Sequence, residues 1–101
     1  MPFKFEGTTI AARKLSIGDN DDIGDLFMKL PESRRINRMF RFIEFAFAYE
    51  AKGGKFPVPK LTAASSADDV EAAYQAFRQL PRTFMEQWQA ELQAVEGDPK
   101  A

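Results

Sequence analysis

The sequence predicts a mainly α fold, about four helices in two pairs with a short N-terminal β-hairpin. Three observations carry that expectation. Apolar residues recur at helical spacing in four separate stretches, whereas period-two alternation is confined to the first residues. Two Leu-Pro steps, Leu30-Pro31 and Leu80-Pro81, each divide a shorter helical stretch from a following one. With 101 residues, 45% of them hydrophobic, the chain reads as one small domain over 1–101 with a single core.

In chain order, Phe3–Glu6 alternates and Gly7 is a turn residue, so a hairpin is expected over 3–17. Its second strand changes phase, from Ile10 and Ala12 to Leu15 and Ile17, which requires a bulge or a break near Arg13–Lys14. Asp19 or Asn20 caps a first helix at about 20–30, with Ile23, Leu26, Phe27 and Leu30 on its buried face. Pro31 opens a second helix at about 32–52, stopped by Gly53-Gly54. The prolines at 57 and 59 force extended backbone in a loop at 53–65. Ser66 and Asp69 have capping-box spacing before a third helix at about 66–80, which presents Val70, Ala73, Tyr74 and Phe77. A fourth, at about 82–96, carries Phe84, Trp88, Leu92 and Val95, with Thr83 and Glu86 spaced as a capping box near its start. Gly97 ends it, and 98–101 is expected to fray.

The second helix is the most informative. Ile36, Met39, Phe40, Ile43 and Phe47 fall on one side, and Phe42, Phe45 and Tyr49 on nearly the opposite side. Such a helix must be covered twice, by its own chain or by a partner. Arg34, Arg38 and Arg41 align on one face and run into Phe45, while Arg34 and Arg35 crowd the positive end of the helix dipole. Arginine around an aromatic centre is enriched at protein interaction hot spots. The sequence therefore nominates Arg34, Arg38, Arg41, Phe42, Phe45 and Tyr49 as partner-binding residues, for a protein client or a second copy. The plain alternative is a solvated arginine face above core aromatics. Nucleic acid is disfavoured, because the formal net charge is −1 and carboxylates surround the cluster. Trp88 reads as core, and Lys55–Lys60 either spans two helix pairs or docks as an extended segment.

The chain has no histidine and no cysteine. That excludes a Cys/His zinc site, a cysteine nucleophile and a Ser-His-Asp triad, and points away from an enzyme and from any cofactor. The run Gly18–Asp25 approaches a calcium loop, but Ile23 and Leu30 occupy positions that need oxygen ligands, so no metal is expected. Lys4 and Glu6 interrupt the place where a signal peptide needs its apolar run, and no stretch is long enough to span a membrane. A soluble, cytoplasmic protein is expected.

Two stretches carry a resemblance. Ala12-Arg13-Lys14-Leu15-Ser16-Ile17-Gly18-Asp19 leads from a hairpin straight into an acidic helix start, and Leu80-Pro81-Arg82-Thr83-Phe84-Met85-Glu86-Gln87-Trp88 comes shortly before the end. In this layout the chain resembles the small tail assembly chaperones and related accessory proteins of tailed bacteriophages. The resemblance implies a non-enzymatic protein of the infected bacterial cytoplasm that self-associates and keeps a long, helical, tape-measure-like client soluble. It transfers no binding residue. A structural component of a virion, or a small inhibitor or nucleic-acid-binding module using the arginine face, would be the alternatives.

Overall fold

Residues 2–96 are described by the computed structural model. Their elements are β1 (Phe3–Phe5), β2 (Thr8–Ala12), α1 (Ile17–Met28), α2 (Asn37–Ala48), β3 (Tyr49–Lys52), α3 (Ala67–Arg78) and α4 (Arg82–Glu96), with a 3-10 turn at Glu32–Arg34. Four helices and a three-stranded antiparallel sheet make a mainly α fold, with one strand more than the hairpin supplies. The proposed stop at Gly97 and the tail beyond it lie outside the described residues. Contacts gather the chain into two compact units.

The first unit holds the sequence up to Lys14, Ala48–Phe56 and the part from Leu80 on. Glu6 (φ 49°) and Gly7 (φ 82°) form the two-residue β1–β2 connection. Positive φ at both positions matches the twist of a hairpin. The strand order is β1-β2-β3, with Phe3 opposite Ile10 and Ile10 opposite Ala51. β2 stops at Ala12, and the Arg13 N–H reaches the Ala48 carbonyl at 2.8 Å. The phase change at Arg13–Lys14 is thus a break, and Leu15 and Ile17 belong to no strand. α4 packs on β1 and β2. Its Phe84 is fully buried, with ring centroids 5.4 Å from Phe3, 5.2 Å from Phe5 and 5.5 Å from Phe56. Trp88 is buried one turn on. The inner position after it belongs to Glu91, a buried carboxylate engaged within the chain, while Leu92 and Val95 are half-buried. Buried Thr8 donates its hydroxyl to the Lys55 carbonyl at 3.2 Å and holds the chain as it leaves β3.

The second unit holds Leu15–Phe47 and Pro57–Gln79. Ser16, not Asp19 or Asn20, caps α1: its hydroxyl accepts from the Asp19 N–H at 3.0 Å, and Asp19 Oδ2 accepts from the Ser16 N–H at 2.8 Å. The Ser66–Asp69 pair forms the same box at the start of α3, as its spacing predicts. Thr83 lies inside α4, so the box suggested for Thr83 and Glu86 has no N-cap to act from. The expected helix over 32–52 is divided between the 3-10 turn, α2 and β3. α2 and α3 meet through rings: Phe42 lies 5.3 Å from Tyr74 and 5.2 Å from Phe77, and Phe45 lies 4.7 Å from Phe77. Arg34 pairs with Glu71 at 3.5 Å. These contacts ascend together in both segments, so the two helices run in the same sense. The loop between them is anchored by buried Val58 and Leu61. Lys60 donates to the Phe47 carbonyl at 3.3 Å, and Lys29 to the Ala63 carbonyl at 2.8 Å. The Lys60 ammonium thus sits at the C-terminal end of α2, where the dipole favours a cation.

Candidate binding surface

The six residues nominated from the sequence divide into two groups. Phe42, Phe45 and Tyr49 are buried within the chain, at 1%, 5% and 3% exposure. They therefore present no surface to a partner. Phe42 and Phe45 pack on α3, and Tyr49 stands 5.1 Å from Phe56. The second apolar side of that helix is thus covered inside one chain. Burial also pushes the Tyr49 hydroxyl up to about 12, since the phenolate would lose its hydration.

Arg34, Arg38 and Arg41 are exposed, yet they do not share one helix face. Arg34 belongs to the 3-10 turn and is engaged with Glu71, while Arg38 and Arg41 stand three residues apart on α2. The aromatic centre that they were to surround is buried beneath them. Arg35 also acts differently from expectation. Because α2 starts only at Asn37, Arg35 does not crowd a helix N-terminus. Its Nε donates to the Leu30 carbonyl at 2.8 Å and its terminal nitrogen to the Met28 carbonyl at 2.7 Å. It closes the C-terminal end of α1, where a cation is favoured.

Part of the first apolar side stays open. Met28 is 60% exposed, Ile36 49% and Phe40 36%, and Ile36 and Phe40 belong to the side expected to be covered by its own chain or by a partner. Two contacts hold them in one neighbourhood. The Phe27 and Phe40 rings meet edge to face at 5.1 Å, and Arg35 ties the Met28 carbonyl to the residue just before Ile36. The Phe40 N–H in turn bonds to the Ile36 carbonyl at 3.1 Å. The exposed apolar residues thus lie at the end of α1 and the start of α2, with Asn37, Arg38 and Arg41 the other exposed positions in the first five residues of α2. The charged stretch Glu32–Arg35, which delays the start of α2, is the sequence signal that Ile36 projects from a helix end.

Among the described residues no group of three or more acidic side chains is gathered as a metal site. In the calcium-like run, Asp19 is turned onto the Ser16 N–H and the backbone is helical from Ile17. Among the described residues no helix is long and apolar enough to cross a membrane. Compared with known protein families, with curated proteins and with solved structures, the chain matches none.

Proposed function

We propose that the chain is a non-enzymatic binding protein that serves assembly, acting in the manner of a phage tail assembly chaperone in the host cytoplasm. Its client is a long helical protein of the tape-measure kind, held through the second unit. The observation that carries this reading is the exposed set Met28, Ile36 and Phe40, accompanied on α2 by Arg38 and Arg41. Apolar side chains in solvent beside cations suit a helix with an acidic and apolar stripe: the apolar residues supply burial and the arginines orient the client.

The test is recovery of such a client by wild type and by two variants. Phe40→Glu should remove most of the binding, and the pair Arg38→Glu, Arg41→Glu should weaken it by opposing charge. The arginine pair should fold as wild type does, because exposed charges contribute little to stability; Phe40→Glu gives up the ring contact with Phe27, so circular dichroism checks that it is folded. Equal recovery by all three proteins would show the patch to be solvated surface. Loss of nucleic acid from the arginine variant, with client recovery unchanged, would favour the nucleic-acid alternative.

A further inference from the structure

Among the described residues β3 has a strand on one side only. The bond from the Arg13 N–H to the Ala48 carbonyl fixes how its main chain is used. It makes Arg13 opposite Ala48 a hydrogen-bonded pair, and such pairs alternate with non-bonded ones along an antiparallel ladder. The Ala11–Glu50 and Thr9–Lys52 pairs are then bonded, and Ile10–Ala51 is not. Glu50 and Lys52 direct their N–H and C=O groups to β2. Ala51 turns its own groups the other way, to the open edge, and Glu50, Ala51 and Lys52 are all exposed.

We propose that this edge pairs with the same edge of a second copy of the chain, antiparallel and centred on Ala51. Each Ala51 then lies opposite its counterpart, and the two exchange a pair of main-chain hydrogen bonds. Glu50 of each copy faces Lys52 of the other in a non-bonded pair, the kind in which side chains come closest. Opposite charges in that position stabilise, and like charges oppose. Sliding one copy by two residues brings Glu50 against Glu50 or Lys52 against Lys52. Sliding it by one sets outward groups against inward ones. The charges and the main chain therefore select a single register.

The opposite edge behaves in the contrary way. Ile10, non-bonded towards β3, is bonded towards Phe3, so on β1 the residue with outward groups is Lys4. A two-fold pairing of β1 places Lys4 against Lys4, and a lysine at an open edge is a common guard against such contact. On β3, Glu50 on the same face as Lys52 converts that guard into a self-complementary pair. The joined sheet has six strands. With only four residues in β3 the association is weak, in the micromolar range, and salt-sensitive.

This proposal is independent of the client reading, and sedimentation equilibrium of the full chain tests it. Wild type should dimerise at high micromolar concentration. Glu50→Lys alone and Lys52→Glu alone should each weaken dimerisation by roughly tenfold or more. A mixture of E50K with K52E should recover it as a heterodimer, and the double swap E50K/K52E should recover it in one chain. Ala51→Pro removes the outward N–H, leaves the bonds to β2, and should abolish association. Phe40→Glu should leave it unchanged, which separates this edge from the client surface. Circular dichroism checks that each variant is folded. A wild type that stays monomeric, single variants that dimerise as well as wild type, or a mixture that recovers nothing would each overturn the proposal.

Discussion

Replacing Phe84 by alanine removes the side chain on which the rings of Phe3, Phe5 and Phe56 converge. Phe84 is fully buried, and truncating a buried phenylalanine costs about 3–5 kcal/mol. Three edge or tilted ring contacts are lost with it, each of about 0.5–1.5 kcal/mol beyond burial. The cost therefore falls at the upper end, about 4–5 kcal/mol, against about 5–15 kcal/mol for a whole domain of this size. Trp88, the only tryptophan, is buried one turn along the same helix and reports its unfolding. Followed by tryptophan fluorescence in urea, the variant should lose about 1.3–5 M from its midpoint, taking a slope of about 1–3 kcal/mol/M. Phe84→Leu keeps most of the volume but also gives up the ring contacts, and should cost less than the alanine variant, about 1–3 kcal/mol. An alanine variant no less stable than the leucine variant would refute the view of Phe84 as the centre of this unit.

Gly54 has φ +70°, and a Cβ there would lie 2.7 Å from Thr8 Oγ1 and 3.1 Å from the Gly7 carbonyl. Gly54→Ala should destabilise by about 1–3 kcal/mol, whereas Gly24→Ala, within α1 and meeting nothing within 4 Å, should stabilise by about 0.5–1 kcal/mol; thermal melts of the two variants check the opposite signs. The Ser66 N–H, and then its hydroxyl, hold the Asp69 carboxyl below its ordinary 3.8. Its stabilisation of α3 is present above 3.8 and is lost as pH falls through the folded value, so an Asp69→Asn variant should show a flatter acid limb. An unchanged limb would contradict the box. Tyr49 behaves with the reverse sense: raised from 10.0 to about 12, it stabilises fully below 10 and ceases to do so as pH rises through about 12. Tyr49→Phe should remove that part of the alkaline loss of stability, measured by urea midpoints across the range.

Local chemistry was legible in the sequence, and long-range pairing was not. The Ser66–Asp69 box could be read from spacing because both partners lie within one turn. The Ser16–Asp19 box has the same spacing, but the phase change after Ala12 suggested continued strand and drew the helix start towards Asp19. Tyr49–Lys52 continues the apolar rhythm of α2, so nothing local marks it as strand. It is extended because β2 offers a ladder there, a preference that only tertiary context supplies. The same limit explains the binding residues. Periodicity shows that Phe42 and Phe45 occupy a second apolar side, yet the rings that cover them, Tyr74 and Phe77, lie some thirty residues later. Arg35 was misplaced for a related reason. Its role depends on where α1 ends, and a cation between two helices can serve the C-terminus of one or crowd the N-terminus of the next.

Binding of a helical client through the exposed patch of the second unit is tested most directly by the soluble fraction of that client. A tape-measure-like helical protein would be co-expressed with wild type or with an Ile36→Glu, Phe40→Glu variant, and its supernatant share measured against expression alone. Wild type should keep the client in solution and bound, and the variant should leave it in the pellet while remaining soluble and folded itself. A client held in solution equally by both proteins, or by neither, would contradict the account.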